Sequence, residues 1–355
     1  MSEMKEIPSI EEIKQHLESY PSVTKADAEL HAERIREILE IKKKHNVVIL
    51  GHNYMEPLVF ECSEEQERGD SYGLSEYAAR TDADIIVFNG VRFMAETAKV
   101  LNPEKKVLIA DRTAGCSLAD NFTAENVKEL KQKHPGVPVM IYINSYADAK
   151  AESDVVCTSA NAAKIAKKLP GNKVIFVPDI LFAQNLAEEL RGVKEIIYPE
   201  EGRGAICEVH EKFSIEDINA VRKSFEIPKG HPKRMIYAHW ECRPEVLREA
   251  DFYGSTTQIR KDIAERVSKG MLEKAFVASE CELTSNLAAE FPQVQFYTAC
   301  SVRCSHMAKI TIEKLHRLMK AIDSGEDLSE WEVALPEEVI EKARKPIEKM
   351  LELGR

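Results

Sequence analysis

The chain has 355 residues, 44% of them hydrophobic and 31% charged, with a formal net charge of −11. That is enough apolar material for two or three packed units, and the acidic balance excludes nucleic acid as the main partner, because a phosphate backbone needs a basic surface. Apolar stretches are strand-sized, short of the ~20 residues of a membrane span, and the opening MSEMKEIPSIEEIKQ shows no secretory pattern. The chain therefore reads as soluble and cytoplasmic, with neither nucleic acid nor membrane as partner. In that compartment its eight cysteines point to metal, redox chemistry or burial rather than to a disulfide framework.

In chain order, residues 1–45 read as helical, with Ser9 or Ser22 as caps and apolar residues at helical spacing over Ala26–Lys44. A unit from Val47 to Cys116 then reads strand, loop, helix (Leu74–Arg80), strand, helix (Phe93–Leu101), strand. A second begins with the helix Ala124–His134 and runs to Cys207; a third begins with Ile215–Ser224 and ends at Cys304. Residues 308–322 and Pro336–Leu353 read as closing helices that return to the first unit beside the N-terminal helix. Short βαβ steps predict parallel sheets.

The three units share an order. An apolar strand ends in small polar residues (VVILGHNY from Val47, PVMIYINS from Pro138, RMIYAHWE from Arg234). An acid-led strand follows (DIIVFNG from Asp84, DVVCTSAN from Asp154, DFYGST from Asp251), then a helix and a third strand (KVLIAD, KVIFVPD, KAFVASE). A cysteine closes each unit at intervals of 207 − 116 = 91 and 304 − 207 = 97 residues. The fold expected is α/β: three pseudo-threefold-related, three-layer units with parallel sheets around one central site. The units are 1–120 with 305–355, 121–210, and 211–304.

Three copies around an axis bring three thiolates to one point. Cys116, Cys207 and Cys304 share a repeat phase and lie in polar loops (AGCSLAD, GRGAICEVH, SVRCSHM), whereas Cys157 sits inside a strand pattern and reads as packing. Cys62, Cys242, Cys281 and Cys300 carry no assignment from pattern. Zinc sites usually show close C-x2-C pairs, and none is present. An iron–sulfur cluster with three thiolates leaves one iron open as a Lewis acid.

Beyond carboxyl strand ends, where α/β sheets bind ligands, stand His52, Asn53 and Tyr54; Tyr142, Asn144 and Ser145; and His239 and Glu241. Thr158-Ser159 and Ser255-Thr256 follow the next strands at helix starts, positions suited to phosphate or carboxylate as well as to ordinary capping. Histidines and a glutamate at equivalent positions read as proton donors and acceptors. No P-loop, no G-x-G-x-x-G and no C-x3-C-x2-C is present.

Over nearly its whole length the chain resembles the quinolinate synthases. The matching segments are GHNY (51–54), GDS (69–71), FMAETAKVLNPEKKV (93–107), AGCSLAD (114–120), YINS (142–145), CTSAN (157–161), CxVH at Cys207–His210, HxEC at His239–Cys242, GST (254–256) and CxxM at Cys304–Met307. The resemblance implies a [4Fe-4S] cluster held by Cys116, Cys207 and Cys304. It implies condensation of iminoaspartate with dihydroxyacetone phosphate to quinolinate, phosphate and two waters for NAD biosynthesis, with a possible transient contact to the iminoaspartate-producing enzyme. By motif, His52 and Ser71 correspond to residues holding a substrate carboxylate. Tyr54, Tyr142, Asn144 and Glu280 correspond to residues lining the reacting centre, and Ser159, Ser255 and Thr256 to anion contacts. His239 and Glu241 match the acid/base positions, and His210 a second histidine. Two motifs depart from the common form: HWEC stands for HPEC and CEVH for CPVH, and Cys300 adds a rival to Cys304 as ligand or a disulfide partner. Competing readings are another three-cysteine hydro-lyase, a binding protein with zinc on the three cysteines and His210, and a repeat whose cysteines are merely buried.

Overall fold

The computed structural model describes residues 6–200, 202, 204–299 and 302–354. Among the described residues twelve strands fall into three four-stranded sheets, all strand pairings parallel. They are β1 Val47–His52, β2 Arg68–Gly69, β3 Ile85–Asn89 and β4 Lys106–Leu108; β5 Val139–Tyr142, β6 Val155–Cys157, β7 Lys173–Val177 and β8 Glu195–Ile197; β9 Arg234–His239, β10 Phe252–Gly254, β11 Lys274–Ala278 and β12 Gln295–Tyr297. Every residue of β1, β5 and β6 is buried, as continuous Val/Ile runs must be when helices cover both faces of a parallel sheet.

Each sheet has the order second-first-third-fourth: β2-β1-β3-β4, β6-β5-β7-β8 and β10-β9-β11-β12. The chain steps to one side of the first strand and then crosses to the other, which opens a crevice at the carboxyl ends of the first and third strands. This order corrects the repeat as read from sequence. DIIVFNG is the third strand of its sheet, equivalent to KVIFVPD and KAFVASE, and KVLIAD is a fourth strand. The true second strand of the first unit is the two-residue β2, paired with β1 through Gly51↔Arg68 and His52↔Gly69. Two residues show no alternation, so the acid-led pattern latched onto the next strand along.

In register, His52 pairs with Gly69, Tyr142 with Cys157 and His239 with Gly254. Asp70-Ser71, Thr158-Ser159 and Ser255-Thr256 thus occupy one structural position in the three units.

Ser9 caps the helix Ile10–Leu17 through a capping box with Glu12. The long helix Lys25–Lys44 is capped by Thr24 with Asp27, while the Ser22 hydroxyl lies 2.5 Å from that of Ser285. The helix Ile312–Ser324 packs on Lys25–Lys44 as expected, but Glu337–Gly354 does not return to the N-terminal helix. It buries Ala343, Ile347, Met350 and Leu351 against the helix Ala147–Ala151 and β6 of the second unit and the helix Arg92–Leu101 of the first. An apolar stripe on a helix gives no address for its packing partner. No helix among the described residues is long and apolar enough to cross a membrane.

A candidate active site where three sheets converge

One cavity takes its walls from all three units. It is lined by His52, Tyr54 and Ser71 from the first, Tyr142, Asn144 and Ser159 from the second, and His239, Glu241 and Thr256 from the third, together with Cys116, Cys207, His210 and Cys304. Ser255 and Glu280 stand behind the wall. The Ser255 hydroxyl donates to Asp70 Oδ2 at 3.0 Å and accepts the Gln258 N–H of its own helix. Glu280 caps the helix Cys281–Glu290 through the Glu282 N–H and accepts the Cys304 N–H at 3.2 Å. Its carboxyl is thereby spent on the backbone that presents Cys304.

The cysteines share a local geometry. Each opens a short turn whose backbone N–H groups, two or three residues on, point back at the sulfur: Leu118 and Ala119 for Cys116, His210 for Cys207, His306 and Met307 for Cys304. Burial pushes all three thiols up, Cys304 to about 11, against the pull of those N–H groups. None of the three is in a disulfide. A neutral thiol gains little from such donors, whereas a metal-bound thiolate is stabilised by them. The donor set therefore fits a thiophilic metal or cluster. Cys62, Cys157 and Cys242 are fully buried; the Cys62 and Cys242 thiols donate to the Leu58 and Ala278 carbonyls. They are packing residues. Cys300 lies outside the described residues.

Glu241 is the hub of the polar groups. Tyr142 donates to its Oε1 at 2.6 Å and Asn144 at 3.5 Å; His210 Nδ1 lies 2.6 Å and His239 Nδ1 3.7 Å from its Oε2. Burial raises the Glu241 carboxyl, but His210, His239 and the hydrogen bonds from His210 and Tyr142 win and hold it well below the usual carboxylate range. A carboxylate only accepts, so His210 Nδ1 carries a proton and donates. Nδ1 is also 3.1 Å from Cys207 Sγ. His210 Nε2 turns to Ser279 Oγ at 3.0 Å and Tyr54 OH at 3.3 Å, and those two hydroxyls are 2.7 Å apart. A continuous chain therefore runs from Tyr54 through His210 and Glu241 to Tyr142.

His52 and His239 end equivalent strands and are held alike. The backbone N–H two residues on reaches Nδ1 in both, from Tyr54 at 3.2 Å and Glu241 at 3.4 Å. A backbone N–H can only donate, so Nδ1 accepts and the proton of each neutral ring sits on Nε2. Burial lowers His52 to about 4 and His239 to about 3, although nearby carboxylates pull the other way. Burial, with the Glu241 charge adding to it, keeps the phenols of Tyr54 and Tyr142 protonated.

Trp240, where the motif commonly has proline, leaves His239 and Glu241 in the cavity wall and packs 5.7 Å from Phe182 and 4.9 Å from Tyr253, ring centre to ring centre. Two residues of this network were missed in the sequence. Ser279 looked like the tail of a strand, and Asp70 was quoted in a motif without a task. Both fall just past strand ends: Asp70, after β2, lines the cavity, and Ser279, after β11, joins the network through Tyr54 and His210.

The family model for Quinolinate synthetase A protein matches residues 36–352. Quinolinate synthase 1 of Mesorhizobium japonicum is 41% identical over 319 residues, 90% of this chain and 91% of that protein. The quinolinate synthase of Caulobacter vibrioides is 39% identical over 350 residues, 98% and 87%, and that of Pyrococcus horikoshii 40% over 322 residues, 90% and 99%. With a match across most of its length and relatives at this level of identity, the chain belongs to the quinolinate synthase family of enzymes.

Proposed function

We propose that this chain condenses iminoaspartate with dihydroxyacetone phosphate to quinolinate, phosphate and two waters in NAD biosynthesis, with a [4Fe-4S] cluster held by Cys116, Cys207 and Cys304. The observation that carries the reading is the convergence on one cavity of three cysteines, each with N–H groups directed at its sulfur, beside the Tyr54–His210–Glu241–Tyr142 chain. When bound, such a cluster offers an iron without a protein thiolate as a Lewis acid for a substrate oxygen or nitrogen.

The chain's own groups supply the rest. His52, neutral with its proton on Nε2, and the Ser71 hydroxyl are donors for a substrate carboxylate; Ser159 and Thr256 are donors for carboxylate or phosphate. Ser255 acts from behind by fixing Asp70, and Glu280 by fixing Cys304. Carbon–carbon bond formation and dehydration need a proton to leave carbon and reach a departing oxygen. Glu241 is the acceptor, and Tyr142 and His239 are its partners in handing the proton on. Tyr54, linked to His210 and Ser279, is the second donor, and Asn144 holds the Glu241 carboxylate in place. Burial of these groups among three units keeps water from a hydrolysable imine. We place the enzyme in the cytoplasm, where its thiols stay reduced and where transient contact with the enzyme that makes iminoaspartate shortens the life of that imine in water. The division 1–120 with 305–355, 121–210 and 211–304 goes with this reading, one ligand cysteine to each unit.

A second reading has one observation in its favour: ligand atoms of Cys207, His210 and Glu241 lie within 4.8 Å of one another, as a single metal ion requires. It leaves Cys116 and Cys304 without a task. The test is quinolinate formation from the two substrates by anaerobically purified protein. Stoichiometric phosphate release with quinolinate supports the proposal. Protein that holds iron yet forms no quinolinate overturns it.

A further inference from the structure

Two of the three strand-end turns are held by the same asparagine clamp, and the third is held by a buried lysine. In the first unit, the carbonyls of the first and third residues past β1, Asn53 and Met55, accept the two protons of Asn286 Nδ2 at 3.1 and 3.0 Å. In the third unit, the corresponding carbonyls past β9, Trp240 and Cys242, accept those of Asn185 Nδ2, both at 2.8 Å. Asn286 and Asn185 are each the sixth residue of the helix that follows the third strand, Cys281–Glu290 and Ile180–Glu189. Each belongs to a different unit from the turn it holds.

The second unit breaks the pattern in an informative way. The sixth residue of Arg92–Leu101 is Thr97, whose hydroxyl donates to Phe93 O within its own helix. Past β5 the first carbonyl, of Ile143, accepts the Ser145 N–H. The third, of Ser145, accepts the ammonium of Lys150, a fully buried lysine whose Nζ lies 5.4 Å from the centre of the Phe93 ring. The neighbouring unit still takes part: Glu96, of the helix Arg92–Leu101, accepts the Ala147 N–H at 2.8 Å and so holds the helix that carries Lys150.

We propose that Asn286, Asn185 and Lys150 are positioning residues, one for each strand-end turn: Asn286 for the turn of His52 and Tyr54, Asn185 for that of His239 and Glu241, Lys150 for that of Tyr142 and Asn144. A carboxamide NH2 has two protons and so fixes two carbonyls of one turn at once. The Oδ1 of Asn286 is buried without a partner, which costs stability; the side chain is retained for what its donors hold. Lys150 is fully buried, and a buried amine is likewise an expensive way to satisfy one carbonyl. The catalytic geometry is thus set at the junctions between units, each turn depending on a neighbour.

This inference rests on the proposed reaction for its readout. Asn185→Asp and Asn286→Asp keep the shape and replace donors by an acceptor; Lys150→Met removes the ammonium. The measurements are kcat and KM for quinolinate formation, scaled to iron content, the dissociation constant of quinolinate by calorimetry, and the melting temperature. A displacement of about 1 Å costs on the order of 100-fold in rate, so Asn185→Asp should lower kcat by about that factor and Lys150→Met by about tenfold. Asn286→Asp should weaken quinolinate binding about tenfold. Asn185→Gln, which keeps the donors, should recover part of the loss. If an aspartate variant unfolds, the serine variant, which removes the donors without adding charge, is read in the same way. Parent-like kcat and quinolinate affinity in folded variants would overturn the inference, as would a loss that only tracks the unfolded fraction. If the parent makes no quinolinate, the proposed reaction fails instead, and a crystal structure of Asn185→Asp decides this point: the turn 239–242 must move by about 1 Å for the inference to stand.

Discussion

The first two units and the third are joined by different means. Strands β1, β3, β5 and β7 and the terminal helices share one apolar core, continuous from Ile13 through Val48 and Ile141 to Leu351. The third unit keeps two clusters of its own, one around Ile236 and Phe276 and one around Tyr237 and Val277. It meets the others through partly buried rings such as Tyr54 and Trp240 and through single directed contacts: Asn286 to Asn53 and Met55, Asn53 to Thr256 at 2.7 Å, Ser255 to Asp70 and Asn185 to Trp240 and Cys242. Apolar burial is strong and non-directional, whereas a hydrogen bond is modest in net energy and strict in geometry. The first junction holds the molecule together; the second aligns the site.

The strongest way to break that contrast is to damage the apolar junction alone. Ile347 is fully buried in the closing helix, and Ile347→Ala should cost about 2–5 kcal/mol of unfolding free energy. In denaturant titrations the first two units should weaken together, while folded protein keeps the parent's kcat. A loss confined to the closing helix would show that the shared core is not one cooperative body.

Acid should act on the polar junction. His52 is buried and its folded pKa is about 4 against an ordinary 6.5. The unfolded chain therefore takes up a proton between those values that the folded chain refuses. Stability is fully present above pH 6.5 and is lost as pH falls toward 4, by about 3 kcal/mol for a shift of this size. Chemical denaturation of metal-free protein at pH 7 and at pH 4.5 tests this, and His52→Asn should flatten the slope. An unchanged slope in that variant would place the acid sensitivity elsewhere.

The smallest effect sharpens the contrast most finely. Ser255→Ala removes both a buried donor to Asp70 and the acceptor that caps its own helix, together about 1–2 kcal/mol. Native-state hydrogen exchange should show the amides of β9 and β11 opening at lower free energy than those of β1 and β5, and this substitution should widen the gap. Equal opening energies in the two regions would mean that the polar contacts bind as firmly as the shared core.

Much of this was legible in the sequence because it repeats. The order of strand, polar exit and closing cysteine recurs three times, and that alone places Cys116, Cys207 and Cys304 and the strand-end residues His52, Tyr142 and His239 in one neighbourhood. The register of the first unit was not legible: Asp84 echoes Asp154 and Asp251, and β2, only Arg68–Gly69, is too short to carry a period. The clamps were not legible either. Asn286 and Asn53 are 233 residues apart, and a helical asparagine looks the same whether it faces solvent or a neighbour's carbonyls. Glu280 was read as lining the reacting centre through the family resemblance, but its carboxyl is turned to the Cys304 backbone, a direction that a motif does not carry.

The proposed iron–sulfur cluster rests on Cys116, Cys207 and Cys304, one from each repeated unit. Its most direct test is iron and acid-labile sulfide per chain on anaerobically purified protein, repeated on Cys116→Ser, Cys207→Ser and Cys304→Ser. About four of each in the parent, lost in every variant, is the result expected. Zinc in place of iron, or a parent that takes up no iron and sulfide on anaerobic reconstitution, would contradict it.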